Sequence, residues 1–118
     1  MRSGAAGTTL VRRGDIWWVA LDPTQGSEIR KTRPAVVITA DALNRARRTV
    51  VIVPLSTGPE ARPPIIVATP SAGPGAVAVC DQLRAVDKRR LTRGSGRLSA
   101  SDMVVVEDGV RRVLDLIS

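Results

Sequence analysis

Asp81, Gln82 and Arg84 lie within four residues of one another between two apolar runs, so a carboxylate, an amide and a guanidinium face one region. An amide both donates and accepts hydrogen bonds, which suits reading a base edge, and a guanidinium presents a planar fork to a phosphate. Arg33 is a second candidate: Pro34 follows it and an apolar run, Ala35-Val36-Val37-Ile38, begins at once. Its charge is permanent, because a group with a pKa above ~12 stays protonated at neutral pH. Such a group stabilises developing negative charge well and accepts protons poorly. Cys80 adjoins Asp81 and resembles a nucleophile, but a lone cysteine in an apolar run reads as a small core residue. Arg45, Arg47 and Arg48 form a basic cluster, read as a solvated or phosphate-steering face.

The 118 residues include no histidine. That excludes a two-histidine ribonuclease mechanism, a histidine-ligated zinc and a histidine-based nucleophile triad. Phe and Tyr are also absent, leaving Trp17 and Trp18, so a stacking platform like that of an RNA-recognition motif is not expected. Recognition of a nucleic acid would then rest on arginine, backbone groups and small polar side chains. The net charge is +7, with sixteen arginines and two lysines. An excess of bidentate phosphate binders points to a nucleic acid partner ahead of mere solubility. A single cysteine rules out an internal disulfide and fits a reducing cytoplasm. No stretch approaches the ~18 apolar residues that span a membrane, and no signal peptide is read at the start.

The elements that must position these groups follow from turn punctuation and hydrophobic period. Ile16 to Leu21 is an apolar run between Gly14-Asp15 and Asp22-Pro23, read as a strand; its neighbouring tryptophans point to opposite faces, with at least one in the core. Residues 24–32 are polar and read as a loop. Ala35 to Thr39 and Val50 to Leu55 are further strands, joined through a helical turn capped by Asp41. After a proline-rich loop come short strands at Ile65 to Ala68, Ala76 to Cys80 and Leu83 to Val86, then a basic turn at Asp87 to Leu91. Ser99 to Asp102 reads as an N-cap with an acidic residue near the helix dipole's positive end. Met103, Val106, Val110, Val113, Leu114 and Ile117 then recur at helical spacing despite Gly109, with Glu107 and Asp108 on the wet face. The pattern predicts one mainly β domain over residues 12–118, with residues 1–11 a flexible extension. Its fold class is a strongly bent antiparallel sheet or partial barrel, with short helical turns and a C-terminal amphipathic helix.

Four segments together resemble the MazF/PemK (Kid) family of toxin ribonucleases. They are Arg13-Gly14-Asp15-Ile16; Asp22-Pro23 through Gly26-Ser27-Glu28; Lys31-Thr32-Arg33-Pro34-Ala35-Val36-Val37; and the run from Asp81-Gln82-Leu83-Arg84 to Leu91. The resemblance implies a small SH3-like barrel of the MazF/Kid/CcdB type and a homodimer. It also implies metal-independent cleavage of single-stranded RNA without a cofactor, and a cognate acidic antitoxin whose flexible segment occupies the RNA groove.

Metal-free cleavage has the 2'-hydroxyl attack the adjacent phosphorus in line and expel the 5'-oxygen. It needs a proton acceptor, cations around the phosphorane and a proton donor to the leaving group. The resemblance assigns Arg33 and Thr57 as catalytic residues, although Ser56-Thr57-Gly58 on its own reads as a routine turn. It carries Ser27, Glu28, Ser56, Asp81, Gln82 and Arg84 over as substrate-binding residues. Some family members use an aspartate at Asp81 with an arginine two residues earlier. That position is Val79 here, which departs from an aspartate-centred mechanism. The expected protein is a cytoplasmic toxin that cuts RNA; a gyrase poison on the same fold and a non-catalytic nucleic-acid-binding barrel are the rivals.

Overall fold

The computed structural model describes residues 10–21 and 32–116. Its strands are β1 (Asp15–Ala20), β2 (Thr32–Val37), β3 (Thr49–Ser56), β4 (Ile66–Ala68), β5 (Val77–Val79), β6 (Arg84–Asp87) and β7 (Leu91–Arg97). Among the described residues two α-helices, α1 (Asp41–Ala46) and α2 (Ala100–Val113), join them, with 3-10 turns at Pro70–Ala72, Cys80–Gln82 and Lys88–Arg90. All pairings are antiparallel, in the order β4-β5-β3-β2-β1-β7 with β6 also on β3. β4 and β7 do not pair with each other, so the sheet stays open as a partial barrel, as the strand pattern predicts.

Alternation along the strands builds a separate core on each face. Val36, Val53 and Leu55 join Ile16, Cys80, Met103 and Val106 on the face covered by α2. Ala35, Val37, Val50 and Ile52 join Val19 and Val86 on the other face, with Trp17 packed against them. Val11, placed by the sequence in the extension, is buried in that second cluster. Leu10 is exposed, and residues 1–9 of the expected extension, like the Ser27-Glu28 loop, lie outside the described residues.

Polar clasps fix the helices to this sheet. Gly14 adopts φ +93°, open to glycine at little cost, which turns the chain into β1. Arg13 donates its backbone N–H to Asp41 (2.7 Å) and its guanidinium to the Ile38 carbonyl (3.1 Å) and Glu107 (2.6 Å). Glu107 thus tethers α2 to the segment leading into β1 and is not a merely solvated group. Asp41 is the first residue of α1 and not its cap: Ala40 holds that position, and the Asp41 carboxylate is taken by Arg13 and Asn44. At the start of α2 the Ser99 hydroxyl accepts from the Asp102 N–H (3.1 Å), the expected cap. The buried Asp102 carboxylate in turn accepts from the backbone N–H (2.8 Å) and hydroxyl (2.5 Å) of Ser71. The 3-10 turn at Pro70–Ala72 is thereby anchored to the helix.

Candidate active-site groove

An open groove follows from a fork in the sheet. β2 pairs with β3 only through Ala35↔Pro54, Val36↔Val53 and Val37↔Ile52. On its other edge, β3 pairs with β6 from Thr49 to Ile52 and with β5 at Leu55 and Ser56. Continuing the β2–β3 register would set Pro34 opposite Leu55 and Arg33 opposite Ser56. Neither Pro34 nor Pro54 carries an N–H, so the two prolines remove ladder donors where the ladder stops. Beyond them β2 stays with β1, Arg33 pairing with Val19, while β3 turns toward β5. The strands diverge, and a groove opens between Arg33 and Ser56-Thr57.

The groove has two limbs. One, of about 580 Å³, is lined by Trp18, Thr32, Arg33, Ser56, Thr57 and Ser95, among others. The second, of about 470 Å³, includes Arg33, Pro54, Ser56, Val79, Gln82 and Arg84. Arg33, Leu55 and Ser56 border both limbs and so stand at their junction. Arg33 is exposed on the edge of β2, and Thr57 is exposed just past β3. Of the residues assigned from sequence, Arg33, Ser56, Thr57, Gln82 and Arg84 come together here. Asp81 does not: it is exposed on the Cys80–Gln82 turn and borders neither limb. No ion pair joins Asp81 to Arg33 among the described residues.

The arrangement presents two guanidinium groups, an amide and two hydroxyls on a surface open to a strand-like ligand. Such a set of groups can hold a phosphodiester flanked by bases. Cys80 has no part in it. It is fully buried beneath α2, its Sγ 3.8 Å from the Val106 carbonyl. Burial, with the Asp81 and Asp108 carboxylates nearby, pushes its thiol up to about 11, so it is protonated at neutral pH.

Sequence reasoning missed Trp18 and Ser95 as groove residues. Trp18 is only partly buried and lines the larger limb. Ser95 lies on β7, whose sequence Leu-Thr-Arg-Gly-Ser-Gly-Arg carries no apolar alternation. The signal within reach was the apolar neighbour pair Trp17-Trp18: if one ring faces the core, the other must face away from it.

A family model described as "PemK-like, MazF-like toxin of type II toxin-antitoxin system" matches residues 12–114. The chain belongs to this family. Individual relatives are similar over nearly their whole length. Endoribonuclease MazF9 of Mycobacterium tuberculosis is 33% identical over 116 residues, covering 91% of this chain and 98% of the relative. Endoribonuclease PemK of Escherichia coli is 33% identical over 112 residues, covering 92% of this chain and 83% of the relative. Among solved structures, the MazE-MazF complex (Form-II) of Deinococcus radiodurans superposes with a TM-score of 0.80 at 22% identity. That match covers 92% of this chain and 99% of the other. The open antiparallel sheet with its C-terminal helix is the fold shared with these MazF structures. Among the described residues no helix is long and apolar enough to cross a membrane.

Proposed function

We propose that this toxin is a sequence-specific endoribonuclease that cleaves single-stranded RNA without a metal and so arrests translation and growth. The observation that carries the reading is that β2–β3 pairing ends at Ala35↔Pro54, and that Arg33, Ser56 and Thr57 line one open groove beyond it. The scissile phosphate lies at the junction of the two limbs. Arg33 spreads its fixed positive charge over the phosphorane oxygens, and the Thr57 hydroxyl hydrogen-bonds the same phosphate. The 2'-oxygen bonds to phosphorus as the bond to the 5'-oxygen breaks, one proton leaving the 2'-hydroxyl and one reaching the leaving oxygen. Gln82 and Arg84 bind the neighbouring nucleotide in the second limb, where an amide can meet a base edge. Ser27, Glu28 and Asp81 are assigned to substrate binding by resemblance to the family.

The rival gyrase poison has no need of a phosphate-stabilising arginine in a groove. A non-catalytic barrel would bind RNA and leave it whole. Incubation of a defined mixed RNA in excess EDTA distinguishes them: cleavage at a reproducible short motif is expected, since a chain with no histidine and one buried cysteine lacks the usual nitrogen and sulfur ligands. Activity that vanishes in chelator and returns with a divalent ion would overturn the metal-free reading.

A net charge of +7 and a phosphate groove suit an acidic, partly disordered antitoxin that competes with RNA for the same arginines. We place the toxin in the cytoplasm as a homodimer; exposed Val104, Val105, Leu114 and Leu116 on and after α2 supply apolar surface for association. Sedimentation of the purified toxin should give a species twice the 12.5 kDa chain mass, and the cognate antitoxin should protect RNA from it. A tightly bound antitoxin that leaves cleavage untouched, or a toxin that sediments as a monomer, would refute the corresponding assignment.

A further inference from the structure

Trp18 stands in the groove with no role in the cleavage just described. Its partners across the sheet are Pro34 on β2 and Arg93 on β7. Directly paired residues of an antiparallel sheet project from the same face, so Pro34, Trp18 and Arg93 form one row. Thr32, two residues along β2, falls on that same face, and Ser95, at the register irregularity of β7, lines the same limb. The Arg93 guanidinium carbon lies 5.4 Å from the centre of the indole ring, within cation–π range. Trp17, one residue earlier, packs into the other core, whereas Trp18 keeps part of its ring open to the groove. Ser71, Ala72 and Ala76 form part of the lining as well, all small side chains that leave room for a flat ring.

We propose that Trp18 is a base-stacking subsite: an unpaired base of the bound RNA, adjacent to the phosphate at Arg33, lies on the indole. The proposal rests on the ribonuclease reading and adds to it the one aromatic surface in the groove. Every base has a π-face, so stacking on Trp18 supplies affinity and leaves base identity to hydrogen bonds. The hydroxyls of Thr32 and Ser95 are the groups in this limb placed to make them. The Ser71 hydroxyl is already engaged, donating to Asp102 and accepting from the Ser99 N–H. Arg93 holds the ring from β7 and adds a cation beside the incoming backbone.

The test uses the full-length toxin with Trp17→Phe, so that Trp18 is the sole fluorophore, and a fully 2'-O-methylated RNA carrying the mapped cleavage motif. Binding should quench Trp18 fluorescence, and an abasic nucleotide at one position beside the scissile phosphate should abolish the quench. Trp18→Leu should weaken binding about ten- to a hundred-fold, the range of one lost base–aromatic stack. At saturating RNA its single-turnover cleavage should stay within a few-fold of wild type, and Trp18→Phe should recover most of the affinity. RNA that binds and is cut at its motif while Trp18 fluorescence stays unchanged would overturn the subsite and leave the ribonuclease reading intact. A drop in single-turnover rate equal to the drop in affinity, unrelieved by Trp18→Phe, would also overturn it, because a stack supplies binding. Failure of the unsubstituted toxin to bind or cut RNA would overturn the ribonuclease reading and the subsite together.

Discussion

Replacing Arg33 by alanine is expected to lower single-turnover RNA cleavage about 10²–10³-fold, the usual cost of removing one preorganised donor from a developing charge. The loss should fall on turnover far more than on affinity. Arg33 faces the phosphate when the phosphorane carries its extra charge, and other cations of the groove, Arg84 among them, still hold the ground-state strand. Arg33→Lys should rescue poorly, since an ammonium cannot reproduce a two-pronged contact with phosphate oxygens. Arg33→Ala should be nearly harmless in cells. Its fold should survive, because the side chain is exposed at the start of β2 and packs in neither core. Thr57→Ala should lose activity without unfolding, and Thr57→Ser should retain part of it. Circular dichroism, binding of an uncleavable RNA and single-turnover kinetics read these outcomes separately. A folded Arg33→Ala that cuts at the wild-type rate would remove Arg33 from the chemistry.

The largest expected effect on stability is at Gly109, in the middle of α2. In an ordinary exposed helix, Gly→Ala stabilises by about 1 kcal/mol. Here the added Cβ would stand 2.5 Å from Cys80 Sγ and 2.8 Å from the Pro64 carbonyl oxygen. The helix sits so close to the Cys80–Gln82 turn that only a hydrogen fits between them. Gly109→Ala should therefore destabilise by about 1–3 kcal/mol, the range for overpacking a filled site. Adding Cys80→Ala should restore part of that, since it removes the sulfur contact and leaves the backbone oxygen. Urea denaturation of the single and double variants measures both steps. A Gly109→Ala protein more stable than wild type would contradict this packing of α2.

Gly109 also shows where the sequence stops being informative. Within the periodic run from Met103 to Val113 it reads only as a weak point in a helix. Its reason lies in residues 29 and 45 positions away in the chain, Cys80 and Pro64. The strands with β-branched runs, β1 to β3 and β5, were legible because burial on one or both faces leaves an apolar record. β7 left none: apart from half-buried Leu91 its residues are exposed and without apolar alternation, and its strand form is imposed by pairing with β1. The same limit applies to the groove. Arg33, Thr57, Gln82 and Arg84 could be named from the family's motifs, but the prolines that part β2 from β3 acquire meaning only once the register is known. The lack of other aromatics argues against a stacking platform, although one ring is enough for a single stacked base. Asp81 is the converse case, a residue carried by a motif whose side chain stands outside both limbs of the groove.

The central claim is that the RNA's own 2'-oxygen attacks the phosphate held between Arg33 and Thr57. The most direct measurement is the chemistry of the cut ends, taken in EDTA on a defined RNA and on the same RNA with a single 2'-deoxy nucleotide at the mapped site. Attack by the 2'-hydroxyl must leave a 2',3'-cyclic phosphate on one fragment and a 5'-hydroxyl on the other, and the deoxy substrate must remain uncut at that site. Fragments bearing 5'-phosphates, or cleavage of the deoxy substrate at an undiminished rate, would contradict the account.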